Sequence, residues 1–248
     1  MIYKTDMIMR VASHFLALFV QVSIWHVLFA ARSSSNGVTV QDMVTYVILG
    51  MLISSLTSSY IDYKIAERVQ DGSIAIDFIR PVNFKYYTIC EDMGEAGLMS
   101  FVTTVPACVF GALYWGLRLP EKPITLILFL ATLTGGIMVV IHLNYTLGLL
   151  SFWFKDSYHV DWLFGAMRAV FSGAFVPLWF YPPALRIVSE AFPWQLASFA
   201  PLAVFLEKTP SSGAIKVLIL QAVWLGALLG IERMLWRKAQ EKIEVYGG

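Results

Sequence analysis

ITLILFLATLTGGIMVVIHLNYTLGLL, Ile124 to Leu150, runs for twenty-seven residues without an Asp, Glu, Lys or Arg. About 20 mainly apolar residues suffice for a helix to cross roughly 30 Å of hydrocarbon, so this run is long enough to span a bilayer by itself. Five further runs share its character: Val11 to Ala31, Met43 to Ile61, Ala96 to Leu117, Asp161 to Tyr181 and Ala214 to Leu235. In lipid every backbone N–H and C=O must find a partner within the chain, which leaves helices or closed barrels. Runs of this length predict an all-α integral membrane protein with six transmembrane helices, residues 1–248 forming one transmembrane domain. The first run is too long and continuous for a signal-peptide core, so it is expected to stay in the mature protein.

Composition agrees with the runs. Of the 248 residues, 58% are hydrophobic and 14% charged, whereas a soluble domain has about 25% charged residues. A net charge of +1 scattered over the ends of apolar runs gives no concentrated basic face, so nucleic acid is not an expected partner. Membrane lipid is. Cys90 falls in a polar stretch and Cys108 inside a run, which disfavours a disulfide, and a metal site needs more ligands than two cysteines.

Lys and Arg collect on the cytoplasmic side of membrane proteins. With the N-terminus inside, Lys4, Arg10, Lys64, Arg68, Arg80, Lys85, Lys155, Arg233, Arg237, Lys238 and Lys242 face the cytoplasm, eleven in all. Six, Arg32, Arg118, Lys122, Arg186, Lys208 and Lys216, face outward, and Arg168 lies within a run. Both termini are therefore expected in the cytoplasm. The stretch 182–210 carries Tyr181-Pro182-Pro183, Phe192-Pro193-Trp194 and Phe199-Ala200-Pro201-Leu202 around it. It is too broken by proline to cross and too apolar for water, which fits an outer re-entrant helical hairpin, with an aromatic-anchored interfacial loop as the alternative.

Between the second and third runs the chain turns polar, over 62–95. Asp62 to Gly72 is expected to extend the second helix beyond the membrane and to end at Gly72, a residue suited to the left-handed cap. Ser73 to Pro81 then reads as a short amphipathic element, which composition alone would lay on the protein's own surface. Glu91, Asp92 and Glu95 read as a solvated helix start. Pro106 and Pro177 are expected to kink their helices, and Gly135-Gly136 to permit close helix packing or dimerisation. His142 and Arg168 lie well inside their runs. His142 is expected to be an interior hydrogen-bonded histidine, with no titratable partner on its own helix, and Arg168 to form a structural pair with Asp161, Asp156 or Glu95.

Ile65-Ala66-Glu67-Arg68-Val69-Gln70-Asp71-Gly72-Ser73, followed by Phe78-Ile79-Arg80-Pro81-Val82-Asn83, resembles the cytoplasmic loop of the type-two ABC permease family. A second stretch, Phe154-Lys155-Asp156-Ser157-Tyr158-His159-Val160-Asp161-Trp162-Leu163 through Arg168 to Ser172-Gly173-Ala174-Phe175-Val176-Pro177-Leu178-Trp179-Phe180-Tyr181-Pro182, is similar to that family's fifth-span signature. The resemblance implies a coupling helix between the second and third spans, with Glu67, Arg68, Asp71, Gly72, Arg80 and Pro81 coupling to a separate ABC ATPase that holds ATP and magnesium. It implies a second permease chain, identical or related, and export across the plasma membrane of a prokaryote. Phe175, Pro177 and Trp179 are then expected to line or gate the pathway, and apolar lining suits a hydrophobic or amphipathic cargo such as a drug, peptide or lipid. In one respect the chain departs from the family pattern: an amphipathic helix before the first span has only Met1 to Met9 to occupy.

No Gly-x-x-x-x-Gly-Lys-Ser/Thr segment occurs, so phosphates are not cradled in the usual way. An intramembrane enzyme would have to draw on His14, His26, His142, His159, Glu91, Asp92, Glu95, Ser13 or Ser23, and no histidine pair has metal-ligand spacing. An ion-coupled secondary transporter would need ionisable groups near the bilayer centre and, commonly, inverted repeats. The runs show no repeat.

Overall fold

The computed structural model describes residues 2–30, 34–35, 37–154 and 157–246. Arg32, Ser33, Asn36, Lys155 and Asp156 lie outside the described residues. Helices dominate. In chain order they are α1 (Ile2–Phe29), α2 (Val40–Leu56), α3 (Ile61–Gln70), α4 (Ile74–Ile79), α5 (Phe84–Met99), α6 (Val105–Trp115), α7 (Pro123–Leu150), α8 (Ser157–Phe171), α9 (Pro183–Ala191), α10 (Phe199–Phe205) and α11 (Ser211–Tyr246). A π-helical stretch, Ser100–Thr104, joins α5 to α6, and 3-10 turns occupy Leu178–Phe180 and Pro193–Leu196. Two-residue strands, Ser34–Ser35 and Val38–Thr39, form a small hairpin between α1 and α2.

Among the described residues, five helical stretches are long and apolar enough to cross a membrane: Lys4–Phe29, Val40–Gln70, Phe84–Trp115, Pro123–Leu150 and Ser211–Glu241. The protein is an all-α, multi-pass membrane protein. The local chemistry explains where helices begin. At α2, Thr39 and Asp42 form a capping box, each side chain taking the other's backbone N–H. Asn83 caps α5 through Lys85 N and Tyr86 N, and Pro123 opens α7 where its missing N–H costs nothing.

α7 is central, packing against α3, α5, α10, α11 and the Pro193–Leu196 turn. Gly136 makes one of these contacts possible: a Cβ there would run into the Leu196 carbonyl oxygen and lie 2.7 Å from Ala197 Cα. The diglycine thus serves packing within the chain. All seven residues of α10 are buried, so that part of 182–210 is covered by protein. α9, by contrast, is largely exposed.

The fold has two polar ends. One gathers the start of α2, the end of α6, the start of α7 and the approach to α11, and is called here the Asp42 end. The other, the Arg68 end, gathers α3, α4, the start of α5 and the Glu232 stretch of α11. Arg118, Lys122 and Lys208 stand at the first and Lys64, Arg68 and Lys85 at the second. α7 ends against α3, where Gly148 meets Asp62 and Ile65, and Lys208 touches Asp42. Residues 151–208 therefore pass from the Arg68 end back to the Asp42 end.

Four expectations are corrected. The second helix does not continue unbroken into Asp62–Gly72. It stops at Leu56, and α3 begins at Ile61, because Thr57 turns its hydroxyl onto the Ile53 carbonyl and Asp92 takes the Tyr60 N–H at 3.1 Å. Asp161–Tyr181 is not one helix, since α8 stops at Phe171 and Gly173 adopts φ +71°. Pro177 lies in the irregular stretch beyond and kinks no helix. The third helix starts at Phe84, twelve residues ahead of Ala96, and places Glu91, Asp92 and Glu95 in its body, where they form ion pairs.

Candidate functional site

Residues 61–95 fold into three short runs of helix around a compact charge network. α3 ends at Asp71, and Gly72 follows with φ +78°, the left-handed cap that glycine adopts without strain. Asp71 takes the Ser73 N–H at 2.8 Å, and this hydrogen bond holds its carboxyl below the ordinary aspartate value. α4 then turns back, with Ile74 buried and Ile76 57% exposed.

Arg68 is the hub. Its guanidinium meets Glu91 Oε2 at 2.6 Å and Asp77 Oδ2 at 3.5 Å, joining α3 to α5 and α4. Asp77 also takes Arg80 at 3.0 Å, and both guanidinium groups lie over the Tyr87 ring, at 5.6 and 5.7 Å. One turn earlier on α3, Lys64 pairs with Glu95 at 2.7 Å and Asp92 at 3.4 Å. Arg68 is thus an internal brace. Glu67, Asp71, Gly72, Arg80 and Pro81 form the exposed surface that the brace supports, continued by Val82.

His142 belongs to a second, deeper cluster. Glu232 of α11, 3% exposed, takes Lys85 Nζ at 2.5 Å on one oxygen and His142 Nδ1 at 2.9 Å on the other. A carboxylate paired with lysine only accepts, so the imidazole donates. Lys85 also lies over the Tyr145 ring at 5.7 Å. Three helices, α5, α7 and α11, are therefore tied through one buried acid, and His142 has titratable partners on the two helices other than its own. The sequence carried a signal for this: Glu232 is an acid inside the run Ala214 to Leu235, and intramembrane acids mark sites. Its partners, 90 and 147 residues away in sequence, carried none.

Arg168 sits exposed near the end of α8. Glu95 is engaged by Lys64, Asp156 lies outside the described residues, and so does the side chain of Asp161. Phe175, Pro177 and Trp179 fall in the irregular stretch after α8, toward the Asp42 end. Phe175 is exposed and Pro177 buried, while Trp179 packs on Tyr46 and Phe199 at centroid separations of 5.9 and 5.0 Å. The Tyr46 hydroxyl donates to Gly173 O at 2.6 Å, fixing the turn.

At the Asp42 end, Asp42 is fully buried between two cations, Arg118 at 2.6 Å and Lys208 at 2.9 Å. Lys208 also donates to Gly37 O and Gln41 to Trp115 O and Gly116 O. The two ends are thus braced in different ways, and the Arg68 end carries the exposed element 67–82. No curated protein matches the chain. A family model does: the one described as ABC-2 family transporter protein matches residues 15–247.

Proposed function

The chain belongs to the ABC-2 transporter family, and on that premise we propose that it is the permease subunit of an ATP-driven exporter, working with a separate ATPase that binds ATP and magnesium. The proposal puts six crossings in one domain: the five spanning helices plus α8 with the 172–181 stretch. It puts the Arg68 end and both termini in the cytoplasm of a prokaryotic cell, and 182–210 on the outer side as a re-entrant hairpin. A second permease chain completes the pathway, with Phe175, Pro177 and Trp179 at its outer part. Cargo is hydrophobic or amphipathic, in keeping with the apolar helix faces the chain presents.

One observation carries the reading. Residues 67–82 present an exposed surface of Glu67, Asp71, Ile76, Arg80 and Val82 that is joined to α5 and α3 by the Arg68 and Lys64 ion pairs. Charged groups give a partner register, the exposed Ile76 gives it apolar area, and the braces carry displacement to the spanning helices. In this reading Glu67, Asp71 and Arg80 meet the ATPase, Gly72 and Pro81 shape the element, and Arg68 keeps it rigid.

The test is co-purification from the native membrane. An ATPase should accompany the chain, and Asp71→Arg should lower its yield while the purified chain still unfolds at the temperature of the unsubstituted protein. Transport by the chain alone, with no nucleotide-hydrolysing companion, would contradict the proposal. A second reading, ion-coupled secondary transport, draws on the Lys85–Glu232–His142 cluster, since buried titratable groups suit proton coupling. Uptake into vesicles driven by a pH gradient without ATP would favour it.

A further inference from the structure

The exposed element has two attachments, one at each of its ends. At its beginning it hangs on α3, which the break at Thr57–Tyr60 separates from α2. A displacement entering α3 therefore meets a joint before it reaches that spanning helix. At its other end the element runs directly into α5, and there the contacts are of another kind. Phe84 stacks on Trp236 of α11, with centroids 5.3 Å apart and planes 10° from parallel. The next residue, Lys85, makes its 2.5 Å ion pair with Glu232. Glu232 and Trp236 are four residues apart, hence on one face of α11, so neighbouring residues of α5 grip two successive turns of a single helix.

The same region is packed as one core. Ile74 of α4, Phe84 of α5 and Ala239 of α11 share a buried cluster with Ile141 and Tyr145 of α7. Through its second oxygen Glu232 also holds His142 of α7. The exposed element, leading through residues 80–83 into the start of α5, and two spanning helices are thus joined by direct side-chain contacts. From this geometry we infer that Glu232 and Trp236 are positioning residues that transmit movement of residues 71–83 to α11, and through His142 to α7. The inference rests on the reading that an ATPase acts on that element, and adds the route by which the action reaches the membrane.

Hydrogen exchange on the complex with its co-purified ATPase, in lipid nanodiscs, tests it. Exchange in 71–83 and in 228–238 is compared with and without ATP. In the unsubstituted chain ATP should alter protection in both stretches. Glu232→Gln and Trp236→Ala should each leave the response of 71–83 in place and abolish that of 228–238, and the exchanged pair Lys85→Glu with Glu232→Lys should restore it. If 228–238 still responds to ATP in both single variants, the transmission route is overturned. If neither stretch responds in the unsubstituted complex, the coupling reading itself fails and this inference fails with it. Where a single variant folds poorly, the exchanged pair and Trp236→Phe decide: both should keep the response, and its loss in both would contradict the assignment.

Discussion

At the Asp42 end one fully buried carboxylate holds two cations from two different connections, with the exposed Glu121 3.9 Å from Arg118 as a weaker second partner, whereas at the Arg68 end several acids and several cations share one another. Arg68 serves Glu91 and Asp77, Asp77 serves Arg80 as well, Lys64 serves Asp92 and Glu95, and Glu232 serves Lys85 and His142. A knot tied through one group is stiff and fails at one point. A network whose members have second partners can lose or exchange a tie and remain assembled. The difference can be measured.

Asp42→Ala should give the largest effect. It leaves Arg118 and Lys208 without their carboxylate, for a loss of about 3–5 kcal/mol, read as a drop in thermal unfolding temperature in nanodiscs. Arg68→Ala should cost less, about 1.5–3 kcal/mol, because Asp77 keeps Arg80 and the Glu91 side chain is 38% exposed to solvent. Equal losses from the two substitutions would remove the contrast between the ends. Asn83→Ala, which deletes the cap of α5 at the Arg68 end, should cost about 1 kcal/mol and raise hydrogen exchange at Lys85 and Tyr86 before it affects α7. A smaller effect concerns pH. Asp71 has its folded value depressed by the Ser73 N–H, so the contribution of that hydrogen bond is complete above the ordinary aspartate value and fades as pH falls through the lower folded value. Ser73 amide protection should follow that titration, and Asp71→Asn should abolish the dependence.

The apolar runs made most of the architecture legible, because lipid enforces length. Ile124 to Leu150 corresponds to α7 within a residue. What escaped was set by contacts distant in sequence. The break before α3 needs Asp92 to take the Tyr60 N–H from 32 residues away, and the end of α8 is fixed by Tyr46 reaching Gly173 across 127. Gly72 was readable as a helix end since glycine alone favours that φ. Arg68 was readable as a member of the polar segment, but not as its brace, because Glu91 and Asp77 come from other helices. For the cluster at Glu232 the depth of the acid in its run was visible, and its partners were not.

The proposed function seats an ATPase on the element at the Arg68 end. A photo-crosslinking residue placed at Ile76, and in a second sample at Leu119, 70% exposed beside Arg118, measures this directly in the purified complex. A crosslink to the ATPase is expected from position 76 and none from position 119. A crosslink from 119, or none from 76 in a complex that retains its ATPase, would contradict it.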